Sequence, residues 1–279
     1  QRMKLEDVIY GEQETEIPDQ SWSAKDAERK VVEILAKEIR ADASEEAILA
    51  QSVIARTSLY DAWERQTEEP SGLTEKEMQV IWGEDYLAIR RELEQYAALT
   101  EDEVLVYEGE LAYTPYHAMS AGMTRDITAL YEETEMPYLT AVPCVEDATA
   151  EGCLSVESRD MEEFIQICRD KFTEAEINEM SDLEILSRDE AGYVTEIRVG
   201  ELTTSGEEFR NRLGLASACF TLTELDGQVR VVTKGYGHGL GLSQYTAERM
   251  AEEGADYREI LSFFYPGTEL KKADGLTVN

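Results

Sequence analysis

The chain has 279 residues, of which 42% are hydrophobic and only 6 are proline, so it is long and apolar enough to fold around a substantial core. Its 60 acidic residues outnumber 26 basic ones and give a formal net charge of −34. This charge argues against nucleic acid and anionic lipid surfaces as partners, because both are bound through cations. No run reaches the roughly 18 apolar residues of a membrane span, so we expect no membrane segment in this chain.

The first third of the chain predicts amphipathic helices. A helix is expected to begin at Ala24, with Ile34 and Leu35 on its apolar face. Glu38 follows these two residues by four and three positions, which are neighbouring positions on a helix surface. We therefore predict that the Glu38 carboxylate lies on the inward face rather than among the solvated charges.

Periodicity and turn residues predict the later elements. Further helices are expected at residues 45–63, 74–87, 87–99, 161–172, 174–180, 206–213, 243–253 and 257–264. Strands are expected at residues 103–113, 218–225 and 229–232, with a hairpin over residues 187–199. This order indicates an α+β fold. In it, N-terminal helices that carry Glu38 pack on a mixed, mainly antiparallel β region with a glycine-rich loop and C-terminal helices. Such an arrangement allows two lobes around a groove. Residues 1–28, which are acidic and contain Pro18, are assigned to an arm or linker, and residues 29–279 to one domain.

Both histidines of the chain lie in unusual settings. His238 stands between glycines in a loop with glycine at alternate positions from 235 to 241, and such a loop can approach a ligand closely. The loop lacks the lysine of a phosphate-binding loop, so nucleotide binding is discounted. His117 lies in a small-residue segment with Ser120 nearby. A single histidine is more often structural, but two in loops beside hydroxyl groups favour a site.

The cysteines leave several alternatives open. Cys144 and Cys153 flank a short acidic loop and could form a disulfide outside the cell, or remain small buried residues. A zinc site would require His117 to converge with these two cysteines, and the spacing alone does not predict this. We therefore expect no metal and no other cofactor.

Four blocks of sequence resemble one known family. The stretch 235–245, with the apolar and glycine positions that follow it up to residue 268, looks like the C-terminal signature of the stage II sporulation protein D (SpoIID) family. Glu38 with residues 50–57, the block 116–124 and the block 209–215 are similar to the family in the same order. The likeness covers roughly residues 29–270.

The resemblance implies a peptidoglycan lytic transglycosylase. Such an enzyme cuts the bond between N-acetylmuramic acid (MurNAc) and N-acetylglucosamine (GlcNAc), prefers strands without stem peptides, and leaves 1,6-anhydro-MurNAc ends. Most glycosidases need two carboxylates, but here the sugar's own 6-hydroxyl can attack, so the single acid Glu38 suffices. The residues implied to bind substrate are Gln51, Arg56, His117, Ser120, Tyr236, His238, Gly239, Ser243 and Gln244. For Arg56, the alternative interpretation is an ion pair with Glu38.

The resemblance also implies a cellular location and leaves a second possible function. The family acts on peptidoglycan glycan strands outside the cytoplasmic membrane, anchored through a segment that would lie outside this chain, and its sporulation members work with a cell-wall amidase. The family's Glu-Met-Pro is Glu38-Ile39-Arg40 here. This departure favours the alternative function, a catalytically impaired glycan-binding or scaffolding relative.

Overall fold

The computed structural model describes residues 24–40, 42–131 and 136–273, with side chains from residue 26 onward. The chain divides into two compact units, unit 1 with residues 1–114 and 247–279, and unit 2 with residues 115–246. Of the expected N-terminal arm, residues 1–23 lie outside the described part, and residues 24–28 begin the first helix. The assignment of residues 29–279 to one domain stays a prediction.

Unit 1 begins as a helical layer followed by a hairpin. Its elements are α1 (Ala24–Glu38), α2 (Glu45–Arg65), α3 (Glu75–Trp82), α4 (Tyr86–Leu99), β1 (Glu103–Tyr107) and β2 (Glu110–Leu111). Leu35 of α1, Leu59 of α2 and Leu93 of α4 belong to one buried apolar cluster. The predicted helix starting at Ala24 is confirmed, because its apolar spacing does bury one face.

The strand predicted over residues 103–113 is wrong in one respect. The segment is a hairpin, in which Val106 pairs with Leu111 and Tyr107 pairs with Glu110. Glu108 and Gly109 connect the strands with φ of 51° and 94°, and positive φ at both positions is typical of a tight two-residue hairpin turn. Residues 104–107 are an unbroken apolar run, and Glu108 and Gly109 separate it from Leu111, so strict alternation does not hold across this segment.

Unit 2 is mainly antiparallel β structure. Its elements are β3 (Tyr116–His117), β4 (Leu154–Asp160), α5 (Met161–Lys171), β5 (Leu183–Arg188), β6 (Val194–Val199), β7 (Leu202–Thr204), α6 (Gly206–Leu213), β8 (Phe220–Leu225), β9 (Gln228–Lys234) and β10 (Leu242–Ser243). Two three-stranded antiparallel sheets have the orders β4-β9-β8 and β5-β6-β7, and β3 pairs with β10 in parallel. Phe209 stacks between Phe172 and Phe220, at ring distances of 5.6 and 5.1 Å, in the core of this unit.

The predicted helix over residues 174–180 is not present. Arg169 donates to the carbonyl oxygen of Ile177, and the Asp182 carboxylate accepts the backbone N–H groups of Asn178 and Glu179 at 2.7 and 3.1 Å. Side chains therefore take the backbone hydrogen bonds that a helix would have made.

The chain then returns to unit 1. α7 (Gln244–Glu252) begins in unit 2, and α8 (Tyr257–Phe264) and β11 (Glu269–Lys272) follow, the last pairing with β1 in the order β11-β1-β2. None of the helices in the described part of the chain is both long and apolar enough to cross a membrane. The expected α+β class, with mainly antiparallel strands, is confirmed.

Candidate functional site

The glycine-rich loop of unit 2 is held against the segment that carries His117. In the parallel pair β3 and β10, Ser243 lies opposite His117. At the other end of the loop, Tyr236 and Met119 exchange two backbone hydrogen bonds of 2.7 and 3.1 Å. The structure therefore brings together the two histidine-bearing segments that lie more than a hundred residues apart in sequence.

Close approach explains why glycines recur in this loop. A Cβ atom added at Gly237 would lie 2.6 Å from the Cβ of His117, and one added at Gly241 would lie 1.9 Å from the carbonyl oxygen of Pro115. Both glycines also have positive φ, 113° and 65°, which other residues rarely adopt. The close packing of the loop on the segment that carries Pro115 and His117 thus accounts for its glycines at positions 237 and 241.

The two histidines face each other and are held neutral. Their ring centroids are 5.7 Å apart. Burial lowers the pKa of His117 to about 4, and the positive charge of Arg210 acts in the same direction. Dense packing around the ring, followed by the charges of His117, Arg210 and Arg125, lowers the pKa of His238 to about 3, although part of its residue surface stays exposed. Near neutral pH both rings act as uncharged hydrogen-bonding groups.

Asp147 holds in place two serines, Ser120 and Ser243, that were expected to bind substrate. Its buried carboxylate accepts hydrogen bonds from the backbone N–H of Ser120 at 2.7 Å, the Oγ of Ser243 at 2.7 Å and the Oγ1 of Thr246 at 2.6 Å. Ser120 and Ser243 are themselves 0% exposed. Both serines therefore serve the frame of the loop, and their expected contact with a glycan is not supported by their positions.

Sequence reasoning missed Asp147 and Arg125. Asp147 is one of many acids in the segment between two cysteines, and no spacing distinguishes it. Arg125 is fully buried, pairs with Asp189 at 2.6 Å and Glu207 at 2.8 Å, and lies 4.8 Å from the ring centroid of Tyr193. Its partners come from distant parts of the chain, so only the fold reveals it.

Three of the expected site residues in unit 2 keep exposed surface. Tyr236 is 60% exposed, and His238 and Gln244 are partly exposed. Gly239 is buried, and a Cβ there would meet the Tyr193 ring at 2.6 Å. The surface that unit 2 offers to a ligand is therefore formed by Tyr236, His238 and Gln244 rather than by the serines.

In unit 1, Glu38 is the last residue of α1. Its side chain is 27% exposed, and one carboxylate oxygen lies 3.5 Å from the Nζ of Lys37. The expectation of a carboxylate buried on the apolar face is corrected, because the helix ends at this residue and leaves the carboxylate partly in solvent. The partly exposed carboxylate is accessible from solvent.

Arg56 has a structural position in unit 1. The side chain is 0% exposed, and its guanidinium donates to both carboxylate oxygens of Glu28 at 2.7 Å. It also donates to the carbonyl oxygens of Ala97 and Glu103 at 3.1 Å. The partner is thus Glu28 rather than Glu38, and a fully enclosed guanidinium cannot contact a sugar. Gln51, at 1% exposure, is equally enclosed.

The cysteines are free thiols. Cys144 and Cys153 are buried and form no disulfide, and burial raises the pKa of Cys144 to about 11. Within residues 24–40, 42–131 and 136–273, no cluster of three or more His, Cys, Asp or Glu side chains could hold a metal ion. The convergence of His117 with the two cysteines, on which a zinc site would depend, is therefore not found in the described part of the chain.

Comparison with known proteins finds similarity to one family model and to several curated relatives. The SpoIID family model, described as stage II sporulation protein, matches residues 3–107. The chain is 28% identical over 274 residues to stage II sporulation protein D of Bacillus amyloliquefaciens, covering 88% of this chain and 74% of that protein. It is 27% identical over 270 residues to the protein of the same name from Bacillus subtilis (strain 168), covering 88% and 75%. It is also 24% identical over 288 residues to the amidase enhancer of Bacillus subtilis (strain 168), covering 85% of this chain and 39% of that protein. The SpoIID family model thus matches the N-terminal part of the chain, and the similarity to stage II sporulation protein D extends along most of its length.

Proposed function

We propose that the chain is a peptidoglycan lytic transglycosylase acting on strands without stem peptides. The observation that carries the proposal is Glu38, an acid with a partly exposed carboxylate at the end of α1, inside the stretch that the family model matches. The relatives named stage II sporulation protein D favour a role in cell-wall remodelling during sporulation. The substrate lies outside the cytoplasmic membrane, and the chain would act there, anchored through a segment outside this chain.

One acid completes the proposed reaction. Glu38 donates its proton to the glycosidic oxygen as the bond between that oxygen and the anomeric carbon of MurNAc breaks, and the GlcNAc product leaves with a free 4-hydroxyl. The 6-hydroxyl of the same MurNAc attacks the anomeric carbon and gives its proton to the Glu38 carboxylate. The acid is thereby restored, no water is consumed, and the product ends in 1,6-anhydro-MurNAc.

The reaction can be tested on its product. Purified protein is incubated with denuded glycan strands, and the products are treated with borohydride and analysed by mass spectrometry. Anhydro ends resist reduction, whereas the ends left by hydrolysis are reduced. We expect irreducible anhydro ends from the unmodified chain and none from Glu38→Gln. Glu33→Gln, a change to another acid of the same helix, is the matched control and should keep activity.

The second candidate is a glycan-binding protein without turnover. The replacement of Met-Pro after the family glutamate by Ile39-Arg40, together with the Lys37 ammonium beside Glu38, favours it. Strands that are bound but never cut, with affinity unchanged by Glu38→Gln, would establish this candidate and refute the first. The relative named amidase enhancer supports a further proposal, that the partner is a cell-wall amidase that supplies denuded strands.

A further inference from the structure

A small cavity in unit 2 borders the glycine-rich loop. Its volume is about 190 Å³. Four side chains of neighbouring strands face it from one side of the sheet, because the register pairs Ser155 with Thr233 and Glu157 with Val231. Arg210, the residues 214–216 after α6, and Tyr236 of the loop form its walls. Pockets for whole small molecules are usually about 300–1,000 Å³, so this cavity suits one group of a larger ligand.

Arg210 gives the cavity an anion-binding group. Its Nε donates to the carbonyl oxygen of Leu215 at 3.3 Å and its Nη1 to Glu207 at 2.9 Å. Its Nη2 has no hydrogen-bond partner among the described residues. Glu207 also accepts a hydrogen bond from Arg125 at 2.8 Å, and Arg125 pairs with Asp189 as well, so the two guanidinium groups face two carboxylates. What Arg210 offers a ligand is therefore its unused Nη2 donor, which belongs to a cationic group.

The other charged group of the cavity is already balanced. Glu157 accepts a hydrogen bond from Arg159 at 2.9 Å, which compensates its charge. The cavity is thus not dominated by negative charge, although the chain as a whole carries −34. A ligand with a single negative charge can approach Arg210 without facing an unpaired carboxylate there.

Tyr236 adds an aromatic surface. Tyr236 is 60% exposed and lines the cavity, so its ring is accessible to a ligand there. Hydroxyl groups of Ser155 and Thr233 line the same cavity. An exposed ring, hydroxyl groups and one cation together fit a sugar that bears a carboxylate, since the ring packs on apolar C–H groups while the polar groups bind oxygens.

We propose that this cavity is a subsite for a MurNAc residue without its stem peptide, in which Arg210 binds the lactyl carboxylate and Tyr236 contacts the sugar ring. This inference rests on the proposed function. A strand that keeps its peptides has a neutral amide where the carboxylate would be, so it offers Arg210 no negative charge. Arg210 is thereby the residue that makes the chain select denuded strands.

The test compares two pools of the same denuded glycan strands, one with free lactyl carboxylates and one with these groups converted to methyl amides. Binding is measured by calorimetry in the Glu38→Gln background, which prevents turnover. We expect the free-acid pool to bind about tenfold tighter, the effect of one charge-assisted hydrogen bond. Arg210→Gln should abolish the difference in affinity between the two pools, and Tyr236→Ala should weaken the binding of both pools alike.

A control and a second variant keep the result decisive. Arg212→Gln removes a cation of the same helix that pairs with Glu208 and Glu174 and does not line the cavity, so the ratio should be unchanged. If Arg210→Gln does not fold, Arg210→Lys decides, because a lysine keeps the charge but not the planar guanidinium that Leu215 and Glu207 orient, and it should reduce the ratio several-fold.

Three results would overturn the inference: equal binding of both pools, a ratio that Arg210 variants leave intact, or no binding of either pool. These outcomes are separate from the product assay. Anhydro ends formed without an Arg210-dependent ratio would leave the proposed reaction standing and refute the subsite. An Arg210-dependent ratio without anhydro ends would refute the proposed reaction and leave the subsite standing.

Discussion

The Nδ1 atom of His117 donates a hydrogen bond to the carbonyl oxygen of Leu240 across 3.0 Å. This contact fixes the neutral tautomer in which Nε2 is an acceptor. Nε2 is buried and has no hydrogen-bond partner among the described residues. A proton added there would place a charge in a site shielded from water, which is the physical reason for the low pKa of this ring.

The first prediction concerns pH and stability. The folded pKa of His117, about 4, lies below the ordinary histidine value of 6.5, so between these values the unfolded chain binds more protons. The contribution of neutral His117 to the free energy of unfolding is full above about pH 6.5 and is lost as pH falls towards 4. It is on the order of 3 kcal/mol in total. Urea unfolding at several pH values should show this slope in the unmodified chain.

The matched variant is His117→Gln, which keeps a polar side chain but cannot titrate. Carboxylates also protonate below pH 5, and both proteins share that loss, so the difference between their unfolding free energies isolates the histidine. Parallel pH profiles for the two proteins would contradict the assignment.

A second prediction concerns the buried ion pair of unit 1. Arg56→Met leaves Glu28 without its bidentate partner and removes the donors to two backbone carbonyl groups. Removing one partner of a buried pair typically costs about 3–5 kcal/mol. The control is Arg65→Met, since Arg65 is 41% exposed and pairs with Asp61 one helical turn away. That change should cost less than about 1 kcal/mol, and equal losses in chemical denaturation would show that Arg56 is not a structural centre.

The third prediction tests Asp147 as the organiser of the loop. Asp147→Ala leaves three buried donors without an acceptor, at about 1–3 kcal/mol each, so the unfolding free energy should fall by several kcal/mol. Asp147→Asn keeps one oxygen and should cost less. Hydrogen exchange of residues 235–243 should accelerate in the alanine variant. The nearby exposed Glu151→Ala should change stability by less than about 0.5 kcal/mol, and protection that survives in Asp147→Ala would refute the role.

A fourth prediction separates close approach from backbone conformation. Gly241 and Gly227 both have positive φ, 65° and 76°, but only at Gly241 would a Cβ collide with a neighbour. Gly227→Ala should cost about 1–2 kcal/mol, the strain of a left-handed residue. Gly241→Ala should cost considerably more, because the loop must move away from Pro115. Similar melting temperatures for the two variants would show that the loop does not need its tight packing.

The relation between sequence and structure differs from one element to the next. The apolar spacing around Leu35 predicted α1, because burial of one helix face leaves a periodic signal. The single strand expected over residues 103–113 passed over the turn at Glu108, although the apolar run that ends at Tyr107 and the glycine that follows Glu108 mark it in the sequence. The loop of alternating glycines carried the resemblance to the SpoIID family, yet its partner segment was visible only once β3 and β10 were paired.

The sequence by itself determined most of the helices, the α+β class and the position of the glycine loop, all of which depend on residues near one another in the chain. Tertiary structure decided which of the residues expected to bind substrate are accessible to it. It placed Arg56 against Glu28 and the serines against Asp147, and it left Tyr236 and Arg210 facing a cavity. Such partners lie tens of residues or more apart, and burial and hydrogen bonding between them arise only when the chain is folded.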